Sequence, residues 1–482
     1  MIKNEKQYKI SKAAANKFFM AIQETKKEKN TDVHPLLIKA QLDALKSTYD
    51  ELLEEIIEYE KLTQATNKTF YVNSLDELAK TLIKARIVQN LSQKQLAEKL
   101  GLKEQQIQRY EANDYKSASL GRLKEISSAL NVIIDSKVLV NPSVNLSEVV
   151  DNLNNIGYPK NFITKTLFSP ELQEQLAYGE VESKNYSSIA QINFLSRFLK
   201  TNIDPSVGSG HTFLQNRYQG IQYKIPKRTN YERLNAESYF AISICEYISE
   251  IYDFHDSSKV LISAKDFRNN VISQFGQITF ESTLKYIWTL GVPIIPLRKL
   301  NSFHGACVRI DVKNFIVLSH NTDLESRLLY DLLHEFRHSS QKIENKNMLI
   351  FEEIENQEGL HSNEEEIDAN TFAADVLLDS RAEELTDVAV AQARGNLRYL
   401  KSVVPQIAQS HNVSTSALAN YLAFRLSLQN ENWWGAAHNL QEENKSCWVD
   451  AINNFFNNIK FNRLEGNVRE LFIRTINYEN AQ

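Results

Sequence analysis

The chain has 482 residues, 42% apolar and 24% charged, the proportions of a folded globular protein. These values exclude a wholly disordered chain, and 14 Gly and 9 Pro exclude a collagen-like or low-complexity one. The net charge of −5 confines any nucleic-acid binding to one local face.

At about 150 residues per domain the length predicts roughly three folded units. No run approaches about 18 apolar residues, and the opening MIKNEKQYKI has no apolar core behind its charges. Neither a spanning helix nor a secretory leader is predicted, and no membrane partner. Cys245, Cys307 and Cys447 are odd in number and far apart, which suits a reducing cytoplasm.

In chain order, 1–73 reads as an N-terminal helical region. Within 37–62, Leu42, Leu45, Tyr49, Leu52, Ile56 and Tyr59 recur at steps of three and four and make one apolar stripe. Such a stripe docks on its own chain or pairs two copies into a homodimer. Residues 63–74 read as a polar connector, 74–137 as a bundle of short helices, and 138–259 as a helical linker domain. Over 260–320 the β-branched runs KVLISAKDF, GVPIIPL and ACVRIDVKNFIVLS, with a helix around 274–290 among them, predict short strands. From 323 the helical pattern resumes, so 260–384 is a second functional domain and 385–482 a C-terminal helical region. The fold class predicted is mainly α (α+β), with one small sheet.

Residues 82–114 have the grammar of a helix-turn-helix. Ser92 and Gln95 make a capping box, Leu96, Ala97 and Leu100 give the first helix a buried side, and Gly101 supplies the tight turn. Ile107 and Tyr110 face inward on the second helix, whose other face carries Lys103, Gln105, Gln106 and Arg109. Gln can hold an adenine edge and Arg a guanine edge through paired hydrogen bonds. Lys94, with Lys99 and Lys116, is a candidate phosphate contact. The SQKQLAEKLGL run and the IQRYE that follows resemble the XRE (Cro/repressor) family over about 60 residues. The resemblance implies double-stranded operator DNA as a partner. LLEEIIEYEKL upstream resembles the segment before the helix-turn-helix in HigA-like antitoxins, which implies a toxin partner and autoregulation.

The segment DLLHEFRHSS places His334, Glu335 and His338 in an HExxH pattern. Composition alone produces a His-acid-x-x-His spacing in such a chain roughly 0.03 times, so context decides. The block 324–340 is helical in period, with Leu332 and Phe336 toward a core and the two histidines on the other side. Two imidazoles and one carboxylate suit a Zn²⁺ that keeps a fourth position for water. Glu335, about 60° around the helix from His338, is placed to act as base.

The third ligand must come from the acidic stretch 352–368. In the predicted helix EEEIDANTFAADVLL, Glu366 shares a face with Ala369, Asn370 and Ala373. Glu365 lies about 100° and Asp368 about 160° away from Glu366. Glu366 is the choice this favours, with Asp368 and Glu365 as alternatives.

LLHEFRH followed by EIDANTFAADVLL resembles the ImmA/IrrE family of zinc metallopeptidases over about residues 260–380. The resemblance implies a gluzincin-like fold, catalytic Zn²⁺ and cleavage of a few regulatory proteins, often repressors. It carries over His334, His338 and Glu366 as ligands and Glu335 as base. Arg337 departs from it, standing where such motifs commonly have a small residue, and Asp368 stands where a Glu is expected.

Of the other histidines, His304, His320 and His361 read as surface or internally satisfied. QIAQSHNVSTSALANYLAFRL has a second helix-turn-helix cadence but few basic residues, so it reads as a packing module, and Trp433 and Trp434 read as core or groove anchors. The whole predicts a cytoplasmic DNA-binding regulator with a zinc endopeptidase that cleaves itself or a partner protein in a stress, toxin–antitoxin or phage-defence response. The rival reading is an antitoxin-like repressor whose metal domain is catalytically silent and senses or scaffolds.

Overall fold

The computed structural model describes residues 1–27, 35–64, 70, 72, 75–134, 144–179, 182–183, 186–201, 222–224, 230–252, 254, 260–300, 302–352, 364–427, 429–441, 446–464 and 466–476. The chain is mainly helical with a small sheet, and divides into two units, Met1–Leu139 and Val140–Gln482.

In the first unit, α1 (Glu5–Lys27) and α2 (Pro35–Gln64) pack against each other. Tyr8 stacks on Tyr59 at 5.2 Å and Phe19 meets Tyr49 at 5.9 Å, so the helices run antiparallel. The apolar stripe of α2 is therefore covered by its own chain. The polar connector predicted at 63–74 lies mostly outside the described residues.

Four short helices follow: α3 (Leu75–Val88), α4 (Gln93–Lys99), α5 (Glu104–Ala112) and α6 (Leu120–Ala129). Their core is Leu82, Ile83, Leu96, Ala97, Ile107, Ile126 and Leu130. Ser92 and Gln95 form the reciprocal capping box at the start of α4. Gly101 turns the chain toward α5 at φ +64, in the left-handed region where a glycine carries no Cβ penalty.

Inside this core lies a buried ion pair. The Arg86 guanidinium meets both Glu111 oxygens at 2.6 and 2.7 Å, and Gln93 adds a bond to Glu111 at 2.8 Å. Arg86 also donates to the Leu91 and Lys3 carbonyls. One buried charge pair thus ties α3, α4 and α5 to the N-terminal segment.

The second unit is built round a five-stranded mixed sheet. In spatial order its strands are Gln222–Lys224, Met348–Glu352, Gly305–Ile310, Lys313–Leu318 and Ile294–Pro296. The central strand Gly305–Ile310 pairs antiparallel with both neighbours, placing Gly305 opposite Glu352 and Leu318. The two edge strands run parallel to their partners. Asp311 and Val312, both at positive φ (47 and 63), make the two-residue turn that the right-handed strand twist favours.

Two differences from the sequence reading have plain causes. KVLISAKDF does not form a strand: the Ser263 side chain accepts from the Asp266 amide and opens the helix Ala264–Phe275. A local cap outweighs the β-branched run before it. Strands Gln222–Lys224 and Met348–Glu352 went unpredicted. MLIFE shows no alternation because Met348 through Phe351 are all buried.

The main apolar core of this unit draws on residues from Val144 to Ile476. The tail helices Leu397–Ser410 and Thr415–Ser427 pack into it. Leu418, Ala419, Leu422 and Ala423 of the second tail helix are wholly buried. Trp433 is in the core, whereas Trp434 is 37% exposed. Among the described residues, no helix is long and apolar enough to cross a membrane.

Candidate metal centre and nucleic-acid face

Two helices of the second unit build the centre. The first is Glu325–His338, which buries Leu328, Leu332 and Phe336, the last against Phe267 and Phe372 of neighbouring helices. The second is Glu364–Leu378, whose Ala369 and Ala373 are fully buried. Small residues there allow close approach, and Tyr330 of the first helix donates to Asn370 of the second at 2.5 Å.

Across this contact His334, His338 and Glu366 come together, all buried. His334 Nε2 and His338 Nε2 are 3.1 Å apart. Glu366 Oε2 lies 3.4 Å from the first and Glu366 Oε1 3.4 Å from the second. Tetrahedral zinc with bonds of about 2.0–2.1 Å sets its ligand atoms about 3.3–3.4 Å apart. The donor set, its burial and the mutual approach of these atoms therefore suit a divalent cation held by two imidazoles and one carboxylate. Nothing in the donor set selects zinc over another divalent ion that accepts N and O ligands.

The alternatives for the third position are occupied elsewhere. Glu365 pairs with Lys342 at 2.6 Å. Asp368 takes two bonds from Arg337, at 2.8 and 3.0 Å. Burial would raise the Asp368 carboxyl, but the Arg337 and Gln341 hydrogen bonds and nearby positive charge hold it below its ordinary value. Arg337, the long side chain where a small one was expected, is thus turned onto Asp368, with its guanidinium 5.4 Å from the Phe372 ring.

Glu335 is 1% exposed and lies against the first residue of the central strand. A Cβ built on Gly305 would fall 2.4 Å from Glu335 Oε1 and 2.8 Å from its Cγ. The absence of a side chain at 305 is what makes room for this carboxylate.

Beside it stands an array the sequence did not suggest. Asp331, one turn before His334 and 1% exposed, accepts from His320 Nδ1 at 2.7 Å. The His320 and His304 rings stack at 3.8 Å, nearly parallel. Burial, then the neighbouring His320, push His304 down to about 4. Burial alone would raise the Asp331 carboxyl; the His320 hydrogen bond and surrounding positive charge outweigh it and hold it below the carboxylate range. His320 is internally paired, whereas His304 is stacked with its Nδ1 buried and without a hydrogen-bond partner, and His361 lies outside the described residues. The spacing of Asp331 from the motif, three and four residues before His334 and Glu335, was the available signal.

On the first unit, α5 presents Lys103, Gln105 and Arg109 to solvent, and α4 presents Lys94. Gln106 is half-buried, its side-chain oxygen accepting from the Lys103 amide at 3.2 Å to cap α5. Lys99 and Lys116 are also exposed.

Residues 82–135 match a helix-turn-helix family of the XRE type. No curated protein and no solved structure matches the chain. The first unit thus carries a helix-turn-helix domain of DNA-binding transcription regulators, covering α4, α5, α6 and part of α3.

Proposed function

We propose that the second unit is a zinc-dependent endopeptidase of the ImmA/IrrE kind, and that the chain is a DNA-binding regulator acting through proteolysis of itself or a partner repressor or toxin. The observation that carries this reading is the meeting of the buried His334, His338 and Glu366 within ligand reach of one another, with the buried Glu335 carboxylate alongside. Bound zinc would supply a Lewis acid that polarises a peptide carbonyl and acidifies water.

This chain's own residues do the rest. His334, His338 and Glu366 hold the ion, and burial keeps bulk water from competing. Glu335 takes the proton of the attacking water on a carboxylate oxygen and hands it to the departing amine. On the first unit, Gln105 and Arg109 read base edges, with Gln106 and Lys103 at the start of the same helix, and Lys94 anchors a phosphate. Two copies reading two half-sites would bind as a homodimer.

The test is Glu335→Gln in the full-length chain. It should retain one zinc per chain. Comparison of protein N-termini in cells carrying parent or variant should show new termini with the parent alone. Identical sets of termini would end the peptidase reading and leave a metal domain that senses or scaffolds.

A further inference from the structure

The metal reading leaves open what prepares His338 as a ligand. A neutral imidazole offers a lone pair at Nε2 only when Nδ1 carries the proton. The surroundings of Gln341 decide which nitrogen that is.

Gln341 stands one turn past His338, and its Oε1 is 2.7 Å from His338 Nδ1. An amide could present either end to a ring nitrogen, and the contacts of its far end decide which. Gln341 Nε2 lies 2.8 Å from the Glu365 carbonyl oxygen and 3.0 Å from Asp368 Oδ2. A carbonyl oxygen can only accept, and both Asp368 oxygens already act as acceptors toward Arg337. Both contacts require N–H donors, which fixes the amide nitrogen on that side. The amide oxygen then faces His338, and only Nδ1–H can satisfy it.

The turn that carries Gln341 is itself fixed. Arg309 on the central strand is 2% exposed and donates to the carbonyls of Ser339 at 2.7 Å, Gln341 at 2.9 Å and Lys342 at 2.5 Å. Its Nε is taken by Asn314 at 2.7 Å. These bonds hold the backbone that carries the Gln341 amide.

We infer that Gln341 is a positioning residue, oriented by Asp368 and the Glu365 carbonyl, that sets the His338 tautomer and locks the two ligand helices into one site. The pair Arg337–Asp368, unexplained by the sequence, supplies the acceptor that makes the orientation one-way. This inference rests on the metal reading above and deepens it.

The test uses the full-length protein, zinc as the only ligand, and competition with a chromophoric chelator as the readout. Gln341→Met keeps the length and removes the acceptor. Loss of an outer partner of this kind costs about 10–100-fold in metal affinity, and that loss is expected. The double change Gln341→Glu with Asp368→Asn reverses donor and acceptor between 341 and 368 and leaves an acceptor facing His338 Nδ1, while giving up the bond to the Glu365 carbonyl. It should bind zinc more tightly than Gln341→Met, recovering part of that loss.

Melting in excess chelator, expected to match the parent, separates tautomer control from a folding defect. Parent affinity in Gln341→Met, or equal weakness in Gln341→Met and the double variant, would overturn the relay alone. A parent that binds no zinc would overturn the metal reading and the relay with it.

Discussion

At Gly305 it is the missing side chain that matters. A Cβ there would overlap the Glu335 carboxylate at 2.4 Å, and the glutamate has no solvent-facing escape because it is buried. Gly305→Ala should therefore cost peptidase turnover on the order of 10²-fold, the low end of what a positioned acid–base group contributes. Zinc affinity should be unchanged, because Glu335 is not among the three ligand atoms. Equal cleavage by the alanine and glycine forms would contradict the proposed role of Glu335.

His304 belongs to the same scale. Its folded value lies near 4, against an ordinary value near 6.5, so the unfolded chain binds the proton more readily between these limits. Stability from the neutral, stacked ring is present above about pH 6.5 and is lost as pH falls toward about 4. Replacing His304 by Leu should flatten the slope of unfolding free energy against pH across that window. An unchanged slope would show that the ring is not protonated on unfolding there.

The sequence revealed residues bearing a strong local pattern and hid those defined by contact. His334, Glu335 and His338 announce themselves by spacing, and Glu366 by its face among small residues. Gly305, Arg309 and Gln341 do not, because what each does depends on a partner across a strand or turn. Arg337 read only as a departure from a commonly small position, because its bonds to Asp368 depend on the fold.

Among the elements, the helix-turn-helix was legible because capping box, turn glycine and apolar period all agree locally. The sheet was less so. KVLISAKDF has strand-like residues yet feeds a capped helix, and Met348–Glu352 is a strand only because the sheet buries it on both faces.

Two predictions sit at this scale. Arg109→Ala on α5 should relax sequence preference by about 1–3 kcal/mol at one base, whereas Lys94→Ala should weaken every sequence alike and reduce the salt slope by about 1. Selection from random duplexes, followed by titration at several salt concentrations, measures both. No preferred site for the parent would contradict the assignment of α5.

The second concerns the buried pair joining α3, α4 and α5. Glu111→Ala strands the Arg86 charge in the core. It should destabilise the first unit by about 3–5 kcal/mol. Urea unfolding followed by exchange of backbone amides in residues 75–134 reads that loss directly. A change under about 1 kcal/mol would place the stability elsewhere, in the apolar contacts alone.

For the whole molecule, two units with separate cores join a DNA-binding domain to a candidate metal centre in one chain. The account depends most on that centre being occupied by zinc through Glu366. Metal content of the purified full-length chain, by elemental analysis after gel filtration, tests this directly, with Glu366→Ala and Glu365→Ala measured beside it. One zinc per chain in the parent and in Glu365→Ala, with loss in Glu366→Ala, is the predicted result. A parent without zinc, or zinc held equally by Glu366→Ala, would contradict the account.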